Sequence, residues 1–174
     1  MVDDLQDPRR TEPPTGEVDE RRLLEGWLEY HRTTLLLKVE GIDDQTRKAR
    51  PVPTSLLSLH GLVRHMADVE RSWFRRRMLG QTDLPFLFYD GVDEDSDLFP
   101  LDHADWDHDL AAWREECESS RQATAGLPLD QMGVTHGGEP LSLRWVYLHM
   151  IEEYARHNGH ADLIRELVDG EVGC

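Results

Sequence analysis

Cysteine is nearly absent from this sequence. Cys117 and Cys174 are the only two in 174 residues, and neither has a C-x-x-C neighbour or a zinc-knuckle spacing. That excludes a disulfide framework and a thiolate-built zinc site, and free thiols in a reducing compartment are the expectation. Long apolar runs are absent too. No stretch approaches the roughly 18 to 20 residues that cross a bilayer, and the polar, acidic start does not read as a secretory signal. A cytoplasmic location with no membrane partner is expected. Basic residues are outnumbered, 19 Lys and Arg against 35 Asp and Glu, for a net charge of -16. Nucleic acids and anionic membrane surfaces depend on Lys and Arg counter-charge, so both are excluded as partners. The acidity is compatible with a small-molecule or metal site, and simple solubility accounts for it equally well. Strand-like alternation of any length is also missing.

What the chain does have is four long amphipathic stretches. Residues 1–16 are polar and bear proline, which suits a disordered or loosely docked tail. The first helix is expected from about Glu17 to Glu40, with Leu23, Leu24, Trp27, Leu28, Tyr30, His31, Leu35 and Val39 at helical spacing and Gly41 as its stop. His31 lies close to that apolar face, where packing at the core edge is favoured over a ligand role. The second is expected from Ser58 to Leu79, its buried stripe being Leu59, Leu62, Val63, Met66, Val69 and Trp73. His65 sits at the inner edge of the stripe. His60 points away and is expected to be exposed, and Arg71, Arg75, Arg76 and Arg77 read as a solvated basic end. A third helix is expected from Ala104 to Ala125 and a fourth from Leu141 to Val168, N-capped by Ser142. The connectors at Gln81–His103 and Pro128–Pro140 are long. The first mixes Phe86, Phe88 and Tyr89 with a run of acids. It resembles a calcium loop only superficially, lacking the twelfth-position glutamate, and a loop of that length is usually functional or mobile. The fold class is all-α, a four-helix bundle formed by residues 17–170 as a single domain.

The fourth helix carries the informative chemistry. Val146, Met150, Leu163, Ile164 and Leu167 gather on one side, and the same side holds His149, Glu153, His157 and His160. Three imidazoles and a carboxylate on an apolar stripe are costly unless paired or bound to a metal. Glu153 and His157 lie four apart, so both address one spot. Bundles build metal sites from inward side chains on facing helices, and His65 on the second helix is the best third ligand. His149 with Glu153 is an alternative pair, and His160 a further option. A hydrogen-bonded network around Glu153 without metal would satisfy the same pattern. Zinc, nickel, iron and manganese all tolerate two histidines and a carboxylate.

Two segments, LHGLVRHMADVERSWF and RWVYLHMIEEYARHNGHADLIRE, resemble the DinB-like superfamily, its DUF664-type branch in particular. That group includes mycothiol-dependent maleylpyruvate isomerases and thiol S-transferases. The resemblance spans most of the chain. It implies an up-down-down-up four-helix bundle with a divalent metal held by one histidine of the second helix and two residues of the last. Those positions fall on His65, Glu153 and His157, with Glu153 where many members have histidine and where the isomerase branch also has glutamate. The cofactors it implies are a divalent metal, zinc first and nickel or iron as alternatives, and a low-molecular-weight thiol of the mycothiol type. The partners are that thiol and a small-molecule substrate. The implied activity is thiolate attack on a small electrophile, giving S-transfer or isomerisation, with the Gln81–His103 loop and the Thr135–Glu139 turn as pocket walls. A metal-dependent hydrolase and a non-catalytic metal- or ligand-binding bundle of a stress response are the rival readings. Exposed Trp and Phe in the loops would suit a homodimer, and monomeric packing accounts for them equally.

Overall fold

Asp19, Ser58, Asp105 and Ser142 each turn a side-chain oxygen onto a free backbone amide two or three residues ahead, and each starts a long helix. The computed structural model describes residues 7–173. Its helices are α1 (Glu20–Val39), the short α2 (Asp44–Lys48), α3 (Leu59–Glu70), α4 (Trp106–Thr124) and α5 (Leu143–Val168). The chain of α3 runs on without a break into a π-helical segment, Arg71–Met78. Two short antiparallel strands, β1 (Met132–Val134) and β2 (Pro140–Ser142), pair with Gly133 opposite Leu141 and lead directly into α5. The fold is an all-α bundle. The most extensive packing joins α1 to α5 and α3 to α4, and α3 also meets α5.

The apolar stripes meet in one core. Leu28, Leu35 and Val39 of α1, Leu59, Leu62, Val63 and Met66 of α3, and Val146, Met150, Tyr154, Ala161 and Ile164 of α5 are all buried. Leu163 and Leu167 are not: they are 58% and 60% exposed. Ile164 falls five whole turns after Val146, whereas Leu163 lies about 100° from that line, so the apolar face expected for this helix was drawn too wide. In α3 and its continuation the core face passes through Ala67, Glu70, Phe74 and Met78, which leaves Val69 and Trp73 only partly buried.

Two glycines set the approach of the connectors. A Cβ on Gly61 would stand 2.6 Å from the Leu98 carbonyl oxygen, and one on Gly133 2.7 Å from that of Arg77. Glycine therefore lets the 95–100 segment close on α3 and lets β1 close on the π-helical segment. In the leading stretch, residues 7–16 carry no helix, while Arg9 bonds Glu40 at 2.9 Å and Arg10 lies over the Tyr30 ring. The first six residues of the expected tail, and Cys174, lie outside the described residues.

Candidate metal centre

His65 reaches inward from the middle of α3, and Glu153 and His157 face it from consecutive turns of α5. One donor atom from each of the three lies within 4.8 Å of the other two. The His65 and His157 rings stand 4.7 Å apart, and His157 Nε2 is 3.5 Å from Glu153 Oε2. Two ligands bound at about 2.1 Å to one tetrahedral ion stand roughly 3.4 Å apart, so this pair is spaced as donors to a common ion. All three side chains are mostly buried.

Hydrogen bonding on the far side of the His65 ring leaves its convergent nitrogen available. His65 Nδ1 lies 2.8 Å from Asp97 Oδ2. A carboxylate only accepts, so Nδ1 carries the proton and Nε2 keeps its lone pair. His157 Nδ1 lies 3.4 Å from His160 Nδ1. Burial, then the nearby His157 and Arg156, lower the His160 pKa, and an ion at His157 Nε2 would leave the ring proton on Nδ1, facing His160. The His157 ring also holds the Glu153 carboxyl below its usual range, against the opposing effect of burial. This chemistry, two imidazole nitrogens and a carboxylate with Asp97 setting the His65 tautomer, fits a divalent ion.

His149 lies on the rim of the cluster. Its ring stacks on Trp145 at 4.9 Å and meets Trp73 at 4.3 Å. Its Nε2 approaches Glu153 Oε1 at 3.2 Å but has no aligned hydrogen-bond partner among the described residues. A second grouping, His149 with Glu152 and Glu153, shares this edge. Of the expected residues, then, the structure brings together His65, Glu153 and His157, sets His149 beside them and puts His160 behind His157. His31 packs against Trp27 and Tyr30 instead.

Beside His65 opens a cavity of about 300 Å³. Val69 and Trp73, which the core does not take, form one wall. Phe86, Tyr89, Glu94 and Asp97 from the long connector form the other. The Thr135–His136 turn borders an adjoining cavity of about 330 Å³ that shares Ser72, Arg77, Phe86 and Tyr89 with the first. Phe88 stands apart, under the Arg64 guanidinium. The connector is held by Asp68, whose carboxylate accepts the backbone N–H groups of Leu87, Phe88 and Tyr89 at 2.6–2.8 Å. Burial raises the Asp68 pKa and those three N–H groups oppose the rise.

Three expectations are corrected. His60 is fully buried, with Nε2 2.8 Å from Asp109 Oδ2: it does point away from His65, but that side of α3 faces α4 rather than solvent. Arg71 and Arg75 are not simply solvated, because both pair with the buried Glu116. Arg77 is half-buried in the cavity wall. Asp97 and Asp68 escaped the sequence reading. The acid-rich connector marked their region, but nothing in it singled out which acid would reach His65.

The mycothiol-S-transferase family model matches residues 23–170. No curated protein matches the chain. No helix among the described residues is long and apolar enough to cross a membrane.

Proposed function

The chain belongs to the mycothiol-S-transferase family, and on that premise we propose that it is a divalent-metal-dependent enzyme joining a mycothiol-type thiol to a small electrophile. The convergence of His65, Glu153 and His157 beside an aromatic-walled cavity carries this reading. An ion held there would supply Lewis acidity that lowers the pKa of a thiol brought to it, so that thiolate prevails at neutral pH. Asp97 orients the His65 ring, and His160 backs the His157 ring. His149 Nε2, buried beside Glu153 with no hydrogen-bond partner among the described residues, is the nearest base outside the three ligands to accept the thiol proton. Trp73, Phe86 and Tyr89 confine the electrophile and exclude water. In the transfer the S–H bond breaks, a C–S bond forms at the electrophilic carbon, and the leaving group departs with its electron pair.

The test is turnover of monochlorobimane by the purified protein with mycothiol, cysteine or no thiol, before and after chelation. The expected result is thiol-dependent conjugation that chelator abolishes and added zinc, nickel or iron restores. Conjugation indifferent to chelator would remove the metal from the reaction. Absence of conjugation with every thiol and metal would remove the transferase reading.

A further inference from the structure

In a chain of net charge -16, the arginines near the core have carboxylates beside them. Arg32 pairs with Glu70, Arg71 and Arg75 with Glu116, and Arg121 with Glu29. Arg76 and Arg77 depart from this, forming no ion pair among the described residues. Each instead sets its guanidinium carbon over an aromatic ring: Arg76 over Phe86 at 4.3 Å and Arg77 over Trp73 at 4.2 Å. A guanidinium held over a ring uses none of its N–H groups in a hydrogen bond there and keeps them for another partner. Arg77 gives one N–H to Ser72 Oγ, and its other N–H groups have no partner among the described residues. Both arginines border the cavity that runs from the shared Ser72, Phe86 and Tyr89 wall to the Thr135–His136 turn.

We propose that this groove takes a small molecule bearing an acid group, whose carboxylate, sulfonate or phosphate is bound by the edges of Arg77 and Arg76 while its apolar body lies between Phe86 and Trp73. The charge pattern sets the direction. Asp68, Glu94 and Asp97 line the His65 end and repel an anion, so the acid group lies at the arginine end and the uncharged end of the molecule points to His65. Burial, then the neighbouring Arg76 charge, lowers the Arg77 pKa, a cost that a bound anion removes. The reaction at the His65 end rests on the transferase reading, whereas the anion subsite rests on the two arginines alone.

The test is binding of 2-naphthoate against its neutral isostere 2-naphthamide, titrated by NMR into the protein as purified. Charged hydrogen bonds to a guanidinium favour the acid by about tenfold or more. Arg77→Gln should erase that preference, and Arg76→Gln and Arg77→Lys should each reduce it at least about threefold, since lysine keeps the charge but not the fork. Arg22→Gln, at an exposed position, should leave it unchanged. His65→Ala should also leave it unchanged, which separates the subsite from the metal. Should Arg77→Gln fail to fold, Arg76→Gln and Arg77→Lys decide the matter. A wild-type protein that binds neither probe or both equally would overturn the subsite. So would a preference that survives the arginine changes and disappears with His65→Ala, since the acid would then be reading the metal. A protein that keeps the acid preference but shows no thiol turnover would retain the subsite and lose the transferase reading.

Discussion

Two neighbouring residues of α5, Glu153 and Tyr154, belong to two polar centres of opposite character. Tyr154 is fully buried and donates to Glu70 Oε1 at 2.7 Å. Glu70, itself fully buried, is gripped by two parallel bonds from Arg32 at 2.7 Å, and Trp113 Nε1 donates to the Tyr154 hydroxyl at 2.9 Å. Cys117 Sγ closes the group 3.6 Å from Glu70 Oε1. Burial, followed by the Glu70 charge, pushes the Cys117 thiol far up, so it stays protonated and inert. Around Glu153 the partners are looser. Its carboxylate has imidazoles at 3.2 and 3.5 Å, one of them unaligned, and a cavity beside them. A closed network with its charges satisfied serves packing. An open cluster with donors left over is suited to take a ligand.

The largest expected effect breaks the closed centre. Arg32→Met strands the Glu70 carboxylate in the core and should cost about 3–5 kcal/mol of stability, read as the urea midpoint. His65→Ala should cost less, about 1–2 kcal/mol by the same measure, because the ring is 26% exposed and its loss removes one partner of Asp97 rather than a core contact. Equal losses in the two variants would erase the distinction. A smaller effect sharpens the open centre. Asp97→Ala frees the His65 ring to turn and should weaken zinc affinity about 10- to 100-fold in a competition titration, with the fold intact by circular dichroism.

The smallest effect is in pH. Glu153 has a depressed folded pKa, so its contribution to the metal-free protein is fully present above the unfolded carboxylate value of about 4.3. It is lost as pH falls through the lower folded value. Below about pH 5, the urea midpoint of Glu153→Gln should therefore fall less steeply than that of wild type. Parallel curves would show that His157 does not favour the ionised carboxylate.

Much of the bundle was legible because caps and periodicity are local. Ser142 marked the start of α5, and Leu28, Leu35, Leu62 and Met66 announced their burial by spacing. The Glu153–His157 pair was legible for the same reason, four residues being one turn. Relations between segments were not. Nothing local says that Asp97, 32 residues from His65, returns to its Nδ1, or that Glu70 receives Arg32 across the core. The π-helical turn was hidden because its period differs too little from that of an α-helix over eight residues. That turn and the long connector leave Trp73 lining a cavity rather than the core.

The central claim is that His65, Glu153 and His157 hold one ion. The direct measurement is metal content by elemental mass spectrometry on protein purified without a metal-affinity tag, comparing wild type with His65→Ala and His157→Ala. About one ion per chain in wild type, lost in both variants while Arg32→Met retains it wherever folded, is the expected result. Wild type that holds no metal after reconstitution with zinc, nickel and iron, or variants that keep it, would contradict the site.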